Sequence, residues 1–504
     1  MALLYRLPFL ILLTGMASAS MILPAVVALW TEAHQDARSF FYSGLVGLVF
    51  CALVGLALAN RPHNRNAIRQ LLALLGTFAI LPAVLAVPFY ESVQTTSFLN
   101  AYLEMVSSLS TTGLPLFAPE RLSMAEHLWR AQVGWMGGLL MWVAAAAILA
   151  PLNLGGFEVT SLDEPGQDVV AGAARRDTSN PASRLARSAA ILVPTYVSLT
   201  LALWVLLLVA GDRPFVALTH AMSVMSTSGI SPVGGPSGAS SGFAGEAIMA
   251  VFLLFALSRL TFSADTGASQ RAGLLYDPEF RLGVAIVLSV PLLLLLRHFV
   301  AALDLGDQNN VFAAARAFWG AAFTVLSFLT TQGFASVDWV DAQQWSGLET
   351  PGVILMGLAL IGGGVATTAG GVKLLRVFAL IINGMREVDR LVHPSSVGRS
   401  GLVSRRTRRE GAFIAWVFFM IFAITLAATT VAFAAFGIPF EQSLVMAVAS
   451  LSNCGPLVDV VQAGRLALID LGPGPKVIAA LAMIMGRLEM LALVVILTPD
   501  LWRD

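Results

Sequence analysis

Ten apolar runs, near 8–30, 40–60, 70–90, 131–152, 186–211, 244–263, 281–303, 350–382, 411–437 and 474–498, limit this chain more than any other feature. About twenty apolar residues cross a hydrocarbon core of roughly 30 Å as a helix. Inside lipid every backbone N–H and C=O must find a partner within the protein, so only helices and closed barrels span it. Runs this long specify helices. With 57% hydrophobic and 12% charged residues, and a mean hydropathy of +0.79, a soluble fold is excluded. The expected class is therefore an all-α polytopic membrane protein. The formal net charge of zero gives no overall pull toward nucleic acid. Cys51 and Cys454 fall in apolar or pore-like segments and match neither a disulfide framework nor a metal-binding pattern.

The first residues imitate a signal peptide, with Arg6, an apolar stretch and "ASAS". The continuing "MILPAVVALW" carries that run past the length of a signal h-region, so it reads as a retained helix. Placing the N-terminus in the cytoplasm puts the loops 61–69, 155–187, 265–281 and 383–410 inside with it. Most of the 30 Lys and Arg then lie inside, the asymmetry that orients membrane proteins. The outer face is left mildly acidic, which favours cations weakly.

Internal similarity organises the rest. "VSSLSTTG" ending at Gly113 aligns with "MSVMSTSG" ending at Gly229, "LSFLTTQG" ending at Gly333 and "VASLSNCG" ending at Gly455. Ser107, Ser223, Ser327 and Ala449 stand six before the glycine, and Ser110, Ser226, Thr330 and Ser452 three before it. Thr111, Thr227, Thr331 and Asn453 stand two before, and Thr112, Ser228, Gln332 and Cys454 one before. Spacing of three describes a short helix with a small polar stripe. One such copy reads equally well as a turn between helices. Four copies, each between two apolar runs and on the same side, read as four loops lining a central opening. Non-helical backbone at membrane depth is tolerated only in such protected settings. The expected organisation is an N-terminal helix pair (1–62), repeat one (63–154), a cytoplasmic loop (155–187), repeat two (188–264), repeat three with a glycine-rich segment (265–382), a basic loop (383–410) and repeat four (411–504).

These residue types suit a monovalent cation. Stacked backbone carbonyls replace the water around such an ion, and glycine permits the dihedrals and close approach that the geometry demands. Each short helix ends at its loop, so the negative end of its dipole faces the ion.

The four glycine segments, "EMVSSLSTTG", "GGGVATTAGGVKLLRV" at 362–377 and "GRLE" at 486–489 together resemble the Trk/Ktr/HKT superfamily of potassium transporters, most closely the TrkH type with its added N-terminal helix pair. The resemblance implies four pseudo-repeats around one pore, potassium uptake across the bacterial inner membrane and a selectivity filter at Thr111–Gly113, Thr227–Gly229, Thr331–Gly333 and Asn453–Gly455. It implies glycine at all four filter positions as the potassium pattern. Leu114–Pro115 after the first glycine, Gln332 and Cys454 depart from the usual family residues and bear on fine selectivity. The family further implies a pore-blocking loop at Gly362, Gly363, Gly364, Thr367, Thr368, Gly370, Gly371 and Lys373. It places an arginine, here Arg487, in the conduction path, and seats a homodimer on a cytosolic, TrkA-like nucleotide-binding ring. The loops 155–187 and 383–410 are long enough to meet that ring.

By the residues alone, the 362–377 glycines read either as a helix-packing face or as a flexible intramembrane segment. Lys373 and Arg376 read as anchors reaching the inner headgroups. Arg487, deep in the last run, is a functional residue by default; Glu489 lies two residues on and faces elsewhere. Glu104 reads as a local ion-pair partner, and His220 as a packed or hydrogen-bonded residue. Arg399, Arg405, Arg406, Arg408 and Arg409 suit anionic lipid as well as a protein partner. No P-loop or dinucleotide fingerprint is present, so nucleotide control would come from another polypeptide. No cofactor is expected in the chain, with K+ as the transported ion. An enzyme is not expected: "GASSG" at 238–242 is similar to an intramembrane protease nucleophile segment, but its spacing differs and no later span carries a histidine base. Sodium or mixed transport, and carriage of an organic solute through broken helices, are the alternatives. Passive flux and symport with H+ or Na+ both fit the sequence.

Overall fold

The computed structural model describes residues 9–58, 67–152, 154–157, 181–258, 274–302, 311–346, 352–393, 409–462 and 468–490. Among these residues all regular structure is helical. The helices are α1 (Phe9–Ser20), α2 (Ile22–Trp30), α3 (His34–Leu58), α4 (Ala67–Val93), α5 (Phe98–Leu109), α6 (Met124–Ala144), α7 (Pro181–Val209), α8 (Pro214–Ser226), α9 (Gly242–Leu254), α10 (Pro278–Ala302), α11 (Val311–Leu329), α12 (Trp339–Ser346), α13 (Gly352–Ile361), α14 (Leu374–Val392), α15 (Arg409–Ala434), α16 (Phe440–Leu451), α17 (Leu457–Gln462) and α18 (Pro473–Leu488).

Local chemistry sets several boundaries. Ser123 and Glu126 form a reciprocal capping box at the start of α6, and Ser92 Oγ donates to the same carboxylate at 2.7 Å, tying α4 to it. Pro214 and Pro473 open α8 and α18, where a missing N–H costs no helical bond. Ser97 caps α5 by accepting from the Asn100 N–H.

Packing follows a cyclic rule. In each repeat the first long helix lies against its own short helix: α4 on α5, α7 on α8, α10 on α11, α15 on α16. The second long helix reaches the short helix of the next repeat: α6 meets α8, α9 meets α11, α13 meets α16, and α18 returns to α5. The chain thus closes four pseudo-repeats around one centre. α1, α2 and α3 sit outside this ring against α4 and α6.

Seven described helices are long and apolar enough to cross a membrane, where ten runs were expected. The three that differ are the second helices of repeats two, three and four. Gly242–Leu257 is short and finishes in a 3-10 turn, 350–382 is divided into α13 and α14, and α18 breaks at Glu489. Even α6 turns to π geometry at Ala145–Leu149. All four second helices therefore leave α geometry after passing the centre, where neighbouring repeats cover the backbone. Apolar content alone does not register these interruptions. Most of the predicted cytoplasmic loops, including Arg399, Arg405, Arg406 and Arg408, lies outside the described residues.

Glu104 of α5 is buried and accepts from Arg130 Nε of α6 at 2.5 Å. Removing one partner of a buried pair strands the other charge. We expect Glu104→Gln to destabilise the protein by about 3–5 kcal/mol, and Glu104→Met with Arg130→Met to recover most of that loss. Thermal unfolding of the detergent-solubilised variants checks both outcomes.

Candidate functional site

The four short helices α5, α8, α11 and α16 end in the same way. The residue two before each glycine adopts a left-handed backbone: Thr111 at φ 55°, Thr227 at 48°, Thr331 at 58° and Asn453 at 54°. Its N–H returns to the carbonyl three residues back, at Ser108, Val224, Phe328 and Ser450. The next N–H reaches five back: Thr112 to Ser107, Ser228 to Ser223, Gln332 to Ser327 and Cys454 to Ala449, at 2.8–3.0 Å. This is a Schellman ending, normally built on glycine. A β-branched threonine at positive φ is an outlier costing on the order of 1–3 kcal/mol. Three such threonines at equivalent places mark a strained centre.

The glycines that follow bring the loops into mutual contact. A Cβ on Gly113 would collide with Ser228 O, one on Gly229 with Gln332 O, and one on Gly455 with the Leu114 backbone; Gly333 abuts Pro456. Copy one therefore touches two, two touches three, three touches four and four touches one. Gly113, Gly229 and Gly333 hold positive φ, but Gly455 does not. Its N–H instead donates to Thr112 O at 2.6 Å. Further glycines let the second helices approach: Gly137 against Leu109 O of α5, and Gly486 against Leu451 O of α16.

Directly against this ring lies the segment between α13 and α14. Its ends pair as a narrow hairpin, with the N–H groups of Val372, Lys373 and Leu374 donating to the carbonyls of Leu360, Ile361 and Gly363 at 2.9 Å. Thr367 Oγ1 donates to Gly364 O at 2.7 Å. At its tip Thr368 Oγ1 lies 3.1 Å from Thr227 Oγ1, and the Gly370 N–H donates to Thr331 Oγ1 at 2.7 Å. Gly370 also abuts Ser452 O, and Gly371 packs on Gly362. The hydroxyls two before the glycine thus hold this segment in copies two and three. In copy four Asn453 Nδ2 donates to Thr112 Oγ1 and Met483 O, and in copy one Thr111 Oγ1 has no protein partner.

Arg487 Nη1 donates to Thr368 O at 2.6 Å, while its Nε and Nη2 are buried without partners. Glu489 does face elsewhere, and binds Arg376 Nη2 at 2.6 Å. The expectation that Lys373 and Arg376 reach the headgroups is corrected here. Lys373 is buried, at φ 85°, with Nζ donating to Ala369 O. Arg376 is fully buried, its guanidinium 3.7 Å from the Phe418 ring centroid. Both charges find partners inside the protein, which removes the drive to reach water. His220 is packed as expected, with Nε2 2.8 Å from Ser231 Oγ and its ring against Phe334.

Sequence reasoning missed Glu279, whose carboxylate accepts from the Val365 N–H at 3.2 Å, and Glu246, which accepts from Trp319 Nε1, Ser336 Oγ and the Val337 N–H. It also missed Tyr196, which lines a cavity of about 20 Å³ with Trp142, Thr227, Thr367 and Thr368, room for about one water. An acid inside an apolar run was the available signal for Glu246; Glu279 falls just before the run that begins at 281 and carried no such mark.

The family described as TrkH, cation transport protein, matches residues 48–501. The Trk system potassium uptake protein TrkH of Salmonella typhimurium is 30% identical, covering 98% of each chain. TrkH of Vibrio parahaemolyticus is 29% identical, again over 98% of each. The crystal structure of the potassium transporter TrkH from Vibrio parahaemolyticus superposes with a TM-score of 0.78 at 28% identity, covering 100% of both chains.

Thr331→Val should strand the Gly370 N–H, at a cost of about 1–3 kcal/mol, and loosen the hairpin. Thiol labelling of a cysteine introduced at Ala366 is expected to accelerate in Thr331→Val. It should stay unchanged in Thr111→Val, where no bond is lost.

Proposed function

Because the chain belongs to the TrkH family of cation transport proteins, we propose that it mediates potassium uptake across the bacterial inner membrane through the ring of four glycine loops. One observation carries this reading: the loops touch in a closed cycle, at contacts that leave no room for a side chain at Gly113, Gly229 and Gly455. Backbone oxygens from residues 111–113, 227–229, 331–333 and 453–455 would replace the hydration shell of K+ in successive layers. Four helix C-termini converge on these loops, each contributing roughly half a negative charge. A dehydrated cation is favoured there and an anion is repelled.

The 362–373 hairpin then acts as the gate. Its tip lies against copies two, three and four, so an ion leaving the ring must displace it. Small residues allow this placement, since Gly363, Gly364 and Gly370 have no room for a side chain. Arg487 sits at the same level with two unsatisfied nitrogens. Its charge opposes a cation passing from the ring and serves as a barrier that the gate's position tunes.

The named relatives are components of a Trk system. We place this chain in a homodimer controlled by a cytosolic, TrkA-like nucleotide-binding subunit, with the N-terminus inside. Contacts to that subunit would come from 155–187 and 383–410. Flux is channel-like, and sodium is the competing substrate.

Uptake of rubidium and of sodium in cells lacking their own potassium uptake tests the proposal. Rubidium uptake that potassium suppresses is the expected result; sodium uptake of equal rate overturns potassium as the substrate. Gly113→Ser should erode discrimination against sodium, as a side chain there collides with Ser228 O. Arg487→Gln should raise rubidium flux several-fold at unchanged protein level. Equal flux would remove the barrier role.

A further inference from the structure

Side-chain amides tie the ring across two of its four seams, and at one of these, four–one, the Gly455 N–H also donates to Thr112 O at 2.6 Å. Gln332 Nε2 of copy three donates to Ser223 Oγ of copy two at 3.1 Å. Asn453 Nδ2 of copy four donates to Thr112 Oγ1 of copy one at 3.0 Å. All four residues are buried. The tied seams, two–three and four–one, stand opposite each other in the cycle. At seams one–two and three–four the contacts are Gly113 with Ser228 and Gly333 with Pro456, and among the described residues no side-chain hydrogen bond joins one loop to the other there; the bonds between these repeats, Trp135 to Thr200 and Arg487 to Thr368 among them, lie outside the loops.

Both amides occur where the four copies diverge. The position one before the glycine reads Thr112, Ser228, Gln332 and Cys454, and the position two before it Thr111, Thr227, Thr331 and Asn453. Each amide lands on a hydroxyl already set in a network behind its loop. Ser228 Oγ also lies 3.3 Å from Ser223 Oγ and accepts from Ser226 Oγ, while Ser110 Oγ lies 2.7 Å from Thr112 Oγ1. The amide oxygens, Gln332 Oε1 and Asn453 Oδ1, have no protein partner. What each amide contributes to its seam is therefore carried by its NH2 group.

Whether cavity size or carbonyl field strength decides selectivity, the oxygens must be held at fixed separation to distinguish two ions of one charge. An untied ring of carbonyls contracts around the smaller ion and loses its preference. We propose that Gln332 and Asn453 are positioning residues for selectivity, two opposed clamps that hold the glycine ring at the spacing suited to potassium over sodium. The proposal rests on the reading of that ring as the selectivity filter. It assigns Gln332 a role through Ser223, without contact to the ion.

The test is a double-mutant cycle on the full chain in potassium-uptake-deficient cells, read as the ratio of rubidium to sodium uptake. That ratio is independent of expression level. Gln332→Leu and Ser223→Ala are each expected to lower it about fivefold, the size of one neutral hydrogen bond, and the double variant no further. Ser223→Ala removes only one oxygen, so it remains informative should Gln332→Leu fold poorly. Thr112→Val should act in the same way at the opposite seam. Unchanged ratios in the single variants, or losses that multiply in the double, would overturn the clamps. Gly113→Ser run in parallel separates the two levels. If it alone shifts the ratio, the filter reading stands and the clamps fall; if it leaves the ratio intact, the filter reading itself fails.

Discussion

Close contact between repeats at four glycines, backbone to backbone at three of them, is the constraint on which this molecule depends. At Gly113, Gly229 and Gly455 even one methyl group would strike a neighbouring repeat's backbone. Loops can come this close only if the helices that carry them are fixed from outside. The cyclic packing supplies this, since each second helix lies on the next repeat's short helix. The same requirement recurs one layer out, where Gly137 and Gly486 accept the last carbonyls of α5 and α16. Small residues at membrane depth here serve closeness of approach, as they do in helix–helix contacts generally.

That closeness carries a cost in backbone strain. Thr111, Thr227 and Thr331 hold left-handed dihedrals that glycine would adopt freely. Two of these threonines return something for it, because their hydroxyls grip the hairpin at Thr368 and Gly370. A glycine in either place would relax the backbone and release the hairpin. Strain at the centre and attachment of the hairpin are thus one arrangement.

Buried charge follows a similar logic. Arg376 meets Glu489 and the Phe418 ring, Arg130 meets Glu104, and Glu279 and Glu246 accept from backbone N–H groups of the irregular segments. Glu279 and Glu246 thereby satisfy N–H donors that a break in regular structure would otherwise strand in an apolar interior. Arg487 is held differently, through a single backbone carbonyl. Incomplete satisfaction of a buried cation is expensive, and its persistence beside the hairpin tip sets Arg487 apart from the paired charges.

The sequence alone determined the apolar runs, the all-helical class and the fourfold recurrence around Gly113, Gly229, Gly333 and Gly455, because hydrophobic length and local periodicity are written in neighbouring residues. It also marked Arg487 and the 362–371 glycines as unusual. Beyond the 362–377 segment it did not reveal that the second helices of repeats two and four are interrupted, since an apolar run reads alike whether straight or broken. Nor did it reveal that Lys373 and Arg376 turn inward, or that Asn453 would reach Thr112 and Gln332 reach Ser223. Those choices belong to the tertiary structure. In an interior without water a polar group takes whichever partner geometry offers, and these partners come from repeats far apart in the chain.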